Sequence, residues 1–243
     1  SMERIIFDRR QSLCCKNSNV FRKYFKHDGK LVAQREGKYS RLYEALGINT
    51  PHFIGTNFSS ERGMFFNDYC YVNMTPIKVS NFDEEIFQQI SSFMRKITVG
   101  RNLCDEGVKF WNDYYRSDLM FALGFLKPHI DTDILLQKVY EQEISVVMHG
   151  DFSLFNMGLQ GNCSVYLYDF ASAGCAPFWW DWGYFIACLS QGWGRKIYEA
   201  FRNEDLLHCV KLASAVRFGR ALRKNEDTEK RCSIFKYWSG MES

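Results

Sequence analysis

The spacing of apolar residues changes its period at Pro76, and no single-layer fold accommodates both halves of the pattern. Before Pro76, short apolar pieces at 4–7, 13–15 and 20–25 read as a three-strand meander, with two further strands predicted over 52–57 and 64–71. Between them, Leu42, Ala45 and Leu46 recur at helical spacing and Gly47 stands at the cap position, which predicts a helix over 32–46. After Pro76, residues Phe82, Ile86, Phe87, Ile90, Phe93, Met94 and Ile97 form one helical stripe, with Ser80 or Asn81 as its cap. Further helices are predicted over 105–126, 132–143, 182–189 and 204–224. The expected class is α+β, with a small antiparallel-sheet lobe carrying one helix over 1–69 and a larger, mainly helical lobe over 70–243. The chain crosses between them near 67–75.

At 243 residues each lobe can bury a core, and 46% hydrophobic with 24% charged residues excludes disordered, collagen-like and coiled-coil architectures. Thirty-one Lys and Arg against 28 Asp and Glu leave a net charge of +3, too small to argue for a nucleic-acid partner. The longest apolar run, 176–189, is broken by Asp181 and falls short of the roughly 20 residues of a spanning helix, so no membrane span is expected. The nine cysteines are odd in number and irregularly spaced, and no C-x-x-C pair occurs. A reducing, cytoplasmic setting is expected, without a zinc site.

One hairpin interrupts the helical half. Residues 157–160 and 163–170 flank Gly161-Asn162, a pair suited to a two-residue primed turn. In that register Asn156 lies opposite Leu167, and Asn156, Leu167 and Asp169 share a face. With Asp151 just upstream, Asn156 and Asp169 make a cluster of hard oxygen ligands of the kind Mg²⁺ takes. The plainer alternative has Asp151 capping a turn, Asn156 opening a strand and Asp169 facing water.

The run His149-Gly150-Asp151-Phe152-Ser153-Leu154-Phe155-Asn156, followed by Tyr168-Asp169-Phe170, resembles the HGDxxxxN motif and downstream Asp of the aminoglycoside phosphotransferase and choline kinase-like superfamily. That resemblance implies a bilobal protein-kinase-like fold and an enzyme that transfers the γ-phosphoryl group of ATP or GTP to a hydroxyl of a small acceptor. It implies Asp151 as the group that orients the hydroxyl and takes its proton, with Asn156 and Asp169 as Mg²⁺ ligands. His149 is then a buried brace of the catalytic loop, and Asp181, between Trp180 and Trp182, resembles the Asp that supports that loop. Lys23 resembles the third-strand lysine that holds the nucleotide phosphates, and Glu36 its ion-pair partner. Lys26 and Lys30 compete with Lys23, and Glu44 competes with Glu36 from the helix end, where the dipole disfavours a carboxylate. No glycine precedes Gly29, so a Gly-rich flap is missing. The turn at 8–12, with the Ser12 hydroxyl and backbone amides as donors, takes its place in positioning the nucleotide.

The acceptor segments match nothing recognisable. From residue 195 onward 11 Lys and Arg face 7 Asp and Glu, and Arg217, Arg220, Arg223 and Lys224 recur at helical spacing. This face is either merely solvated or a site for an anionic acceptor. Trp111, Tyr114, Tyr115, Trp179, Trp180, Trp193 and Trp238 are candidates to stack on a sugar or cage a quaternary amine, or else core. Sugar, amino alcohol and choline-like acceptors stay open. Two other classes compete, a nucleotide-binding pseudokinase or regulatory module and a protein kinase. Against the latter, Asp181 follows Asp169 too soon for an activation segment.

Overall fold

The computed structural model describes residues 3–27, 29–99, 103–104, 110–161 and 163–242. They divide into two compact units. The first takes in residues up to 100 together with 149–151 and 155–173, and so extends past residue 69. The second takes in 101–148, 152–154 and 174–243.

The first unit opens with strands β1 (Arg4–Asp8), β2 (Ser12–Asn17) and β3 (Val20–Phe25), the expected meander. Helix α1 (Gly29–Ala45) follows and ends at Gly47, whose positive φ of 84° supplies the left-handed cap. Strands β4 (Phe53–Ser59) and β5 (Met64–Cys70) complete an antiparallel sheet of order β1-β2-β3-β5-β4. Its pleat sorts the side chains. The row Leu13, Tyr24, Phe66 and its neighbour Cys15 form a small core on one face. Arg22 covers that core, bidentate to Asp68 at 2.7 and 2.9 Å with its guanidinium 3.9 Å from the Phe66 ring centroid. The alternate row Cys14, Lys23, Asn67 faces α1. There Asn67, fully buried, donates through Nδ2 to the Ala33 carbonyl at 2.8 Å and accepts from Thr56 Oγ1 at 2.7 Å.

Beyond the short strand β6 (Thr75–Pro76), helix α2 (Glu84–Val99) buries Ile86, Ile90, Phe93, Met94 and Ile97 on the expected stripe. Its capping side chain is Asp83, whose Oδ1 accepts from Ile86 N at 2.9 Å, and neither Ser80 nor Asn81, which sit in a preceding 3-10 turn. Of the helix expected over 105–126, residues 105–109 lie outside the described residues and 110–112 are not helical; helix α3 (Asp113–Leu126) starts after the Asn112 cap. Helix α4 (Thr132–Tyr140) is capped by Asp131 and gives way to strand β7 (Ile144–Met148).

The hairpin β8 (Met157–Gln160) and β9 (Ser164–Leu167) returns the chain to the first unit and pairs with β6. Gln89 of α2 clamps it, donating to Cys163 O at 2.7 Å and accepting from Val165 N at 2.9 Å. Strand β10 (Gly174–Pro177) then pairs with β7, and helices α5 (Trp180–Cys188), α6 (Gln191–Phe201), α7 (Glu204–Lys224) and α8 (Thr228–Ser239) complete the second unit.

In the second unit α7 packs closely on α3 and α5, with glycines at the contacts. A Cβ at Gly219 would strike the Asp118 carbonyl, and one at Gly183 would stand 2.6 Å from Cys209 Cβ. Phe110, Tyr115 and Trp180 form a buried ring cluster, with Trp180 Nε1 donating to Tyr115 Oη at 3.2 Å. Among the described residues no helix is long and apolar enough to cross a membrane, and all nine cysteines are free thiols.

Candidate active site

Strand β3 places Lys23 on the α1 side of the sheet, facing Glu36 of α1. Lys23 Nζ lies 3.1 Å from Glu36 Oε1 and 3.3 Å from Asp169 Oδ1. Lys23 is 8% exposed and Glu36 2%. Burial alone would drive the ammonium toward neutrality, but the Asp169 and Glu36 carboxylates overcome it and hold the Lys23 pKa above its ordinary value. Burial pushes the Glu36 carboxyl up against the pull of Lys23. At Asp169 burial works in the same upward sense, yet Lys23 prevails and the carboxyl stays below the usual range. The competing side chains are engaged elsewhere. Lys26 Nζ contacts Asp8 Oδ1 and the Arg9 carbonyl, each at 2.6 Å, and exposed Glu44 meets His52 Nδ1 at 2.8 Å.

The hairpin register differs by one residue from the expected one. Met157, and not Asn156, stands opposite Leu167, because the loop has three residues, 161–163, closed by Cys163 N donating to Gln160 O at 3.2 Å. Asn162 of the expected turn lies outside the described residues. A one-residue slip exchanges faces along a strand, so alternation does not place Asn156 beside Asp169. Asp169 also leaves the strand path, with a left-handed φ of 65°.

Asp151 connects these groups instead. Asn156, 6% exposed, donates through Nδ2 to the Asp151 carbonyl at 2.8 Å and to Asp151 Oδ2 at 2.9 Å. The Asp151 carboxylate in turn stands near enough to Asp169 to oppose its ionisation. Asp169 is therefore no solvated strand-end carboxylate.

His149 is fully buried. Its Nδ1 accepts from the Asp151 N–H at 3.1 Å, which leaves Nε2 as the donor to the Tyr168 carbonyl at 2.8 Å. Both ring nitrogens thus join backbone segments, the geometry of a brace. Gly150 between them has φ +89°, and a Cβ there would run into the Ser172 carbonyl. Ser12 is the first residue of β2 and not a turn residue; it is 8% exposed, and its carbonyl accepts from Arg9 N at 2.8 Å. Asp181 lies in the first turn of α5 in the second unit and is 5% exposed.

Lys23, Glu36, Asp169 and Ser12 line one cavity of about 290 Å³ within the first unit, together with Arg9, Cys14, Tyr69, Met74 and Tyr168. Arg9 is the lining residue that sequence reasoning missed; its signal is a pair of arginines in the turn where glycines would otherwise be sought. Among the described residues no group of three His, Cys, Asp or Glu side chains forms an all-protein metal cage. The donor set suits Mg²⁺ nonetheless, since that ion takes one or two protein oxygens and completes its shell with water and phosphate. Asp169 supplies an ionised carboxylate. The Asn156 amide nitrogen is fixed on Asp151, which leaves its carbonyl oxygen as the ligating atom.

The basic stretch of α7 is largely structural. Arg220 Nε and Arg223 Nε bind opposite oxygens of Asp118, which is 1% exposed, at 3.1 and 2.8 Å. Of the candidate stacking aromatics, Trp111, Tyr115, Trp180 and Trp238 are buried core. Tyr114 is exposed, and Trp179 and Trp193 are half-buried.

Comparison with solved structures settles the architecture. An aminoglycoside 2'-phosphotransferase-IIIa in its GDP complex superposes with a TM-score of 0.62 at 14% identity, covering 98% of this chain and 92% of the other. A choline/ethanolamine kinase family protein from Mesorhizobium loti gives 0.64 at 10% identity over 99% and 89%. The fold is protein-kinase-like. It is of the α+β class and extends over nearly the whole chain. The amicoumacin kinase hAmiN, in complex with AMP-PNP, Ca2+ and Ami, shares this fold with a TM-score of 0.68 at 10% identity, over 98% and 86% of the two chains. No protein-family model and no curated protein sequence matches the chain.

Proposed function

We propose that the chain is a small-molecule kinase that transfers the γ-phosphoryl group of ATP or GTP to a hydroxyl of its acceptor. The observation that carries this reading is Lys23 held between Glu36 and Asp169 at one cavity, with Asp151 tied to Asn156 beside it. Lys23 binds the nucleotide phosphates and Glu36 keeps its ammonium charged and in place. Asp169 and Asn156 would hold Mg²⁺, which would supply positive charge against the transferring phosphoryl group. Asp151, its carboxylate oriented by the Asn156 amide, accepts the proton of the acceptor hydroxyl. His149 and Gly150 fix the loop that carries Asp151, and Asp181 is assigned a supporting role for the same loop. The Ser12 hydroxyl is a donor to the nucleotide.

The solved neighbours support the reading, since they were obtained with GDP, with AMP-PNP and Ca2+, and with ADP and spectinomycin. The proposed acceptor is a small hydroxyl-bearing molecule, a sugar, an amino alcohol or an antibiotic-like compound, and the same neighbours support that range. Strand β10 and helix α5 begin so soon after Asp169 that no activation segment intervenes, which speaks against a protein kinase.

Thermal unfolding with and without Mg²⁺ and each nucleotide tests the proposal without an acceptor. Saturation at 100 times the dissociation constant stabilises by about 2.7 kcal/mol, a readily measured upward shift. Loss of the metal-dependent shift in Asp169→Asn is expected, followed by nucleotide consumption with an acceptor panel. No shift with either nucleotide at millimolar concentration overturns the proposal.

A further inference from the structure

The charged side chains around the cavity do not all satisfy one another. Lys23, Glu36 and Asp169 form a closed group, but a fourth charge, Arg9, lines the same space. Among the described residues Arg9 makes no ion pair. Its guanidinium rests over the Phe7 ring, 4.9 Å from the centroid, on the exposed side of the β1–β2 turn.

The backbone of that turn is fixed by hydrogen bonds, and the Arg9 side chain is held by the Phe7 ring alone among the described residues. Arg9 N donates to Ser12 O at 2.8 Å, Lys26 N to Gln11 O at 3.0 Å, and Lys26 Nζ holds both the Arg9 carbonyl and the Asp8 carboxylate at 2.6 Å. Asp8, the nearest acidic neighbour in sequence, is therefore engaged by Lys26. Arg9 lines the cavity together with Lys23, Ser12, Cys14 and Asp169.

We infer that Arg9 is a phosphate-binding residue of this site, swinging from Phe7 onto the polyphosphate of a bound nucleoside triphosphate. The inference rests on the nucleotide reading of the cavity. A forked guanidinium on a fixed turn reaches two phosphate oxygens at once. Arg9 then supplies, by side chain, the anion contact that the missing flap would make by backbone. Arg10, in the same turn but not lining the cavity, has no such part.

Calorimetric or thermal-shift titration of the intact protein with Mg·ATP, Mg·GTP and the free nucleosides tests this. Arg9→Ala is expected to weaken triphosphate binding about tenfold, the scale of one charge-assisted contact, with nucleoside affinity unchanged. Arg9→Lys restores part of the loss and Arg10→Ala causes none. The wild-type triphosphate affinity falls more steeply with added salt than that of Arg9→Ala. Equal triphosphate affinities for wild type and Arg9→Ala overturn the inference while leaving the nucleotide site intact. Absence of triphosphate binding by the wild type overturns both.

Discussion

Asp169 is held ionised by Lys23, and its pH behaviour follows from the direction of its shift. Lys23 holds its carboxyl below the ordinary value of 3.8, so unfolding is accompanied by proton uptake in mild acid. The stabilisation is complete above about pH 4 and is lost as pH falls through the lower, folded value. Glu36 acts in the opposite sense, because burial favours its protonated form. A comparison of wild type with Asp169→Asn isolates the Asp169 contribution. The difference in melting temperature is expected to be constant from neutrality to about pH 4 and to shrink below it, whereas a difference that grows in acid reverses the assigned sign. Asp151, Asn156 and Asp169 are legible in the sequence from the motif spacing. Their arrangement is not, because the hairpin loop holds one residue more than the Gly-Asn pair suggests and Asp169 adopts a left-handed backbone. Lys23 and Glu36 are singled out in the sequence only through resemblance; the register that puts Lys23 opposite Cys14 and Asn67 brings it to Glu36, and that register is not readable from the sequence.

Among the elements, the strands of the five-stranded sheet are legible as short apolar pieces set apart by polar turns. Strands β7 and β10 escape the same reasoning. Val146, Val147, Met148, Cys175 and Ala176 are all buried, so no alternation marks them, and short apolar runs do not distinguish strand from helix. The α3–α7 contact is equally silent in sequence, as it depends on Gly219 lying against the Asp118 backbone. Gly219→Ala gains helix propensity of about 1 kcal/mol in isolation. The clash with Asp118 is expected to outweigh that gain and destabilise the protein by about 1–3 kcal/mol. Urea denaturation reads this as a lower midpoint, and an unchanged or raised midpoint refutes the close packing.

For the whole molecule, the first unit is discontinuous in the chain. Its sheet and α1 lie before residue 100, but Asp169, Phe170 and the β8–β9 hairpin come from 155–173. A fragment ending at residue 100 lacks the Phe170 ring that stands 4.9 Å from Tyr43, the strand that pairs with β6, and the second carboxylate on buried Lys23. Such a fragment is expected to show no dispersed amide spectrum and no near-ultraviolet signal from its buried aromatics; a well-dispersed spectrum contradicts this. The two-part organisation is legible in sequence from the change of period, but its boundary is not, because the segments that complete the first unit are separated from it by α3, α4 and β7. The same interleaving sets an order of events during synthesis. At about 5–20 residues per second, the ribosome takes roughly 4–15 s to pass from residue 100 to residue 173. For most of that interval the nascent segment holds Lys23 and Glu36 with no Asp169 to join them, and it waits, unfolded and accessible to chaperones, for a part of the chain not yet made.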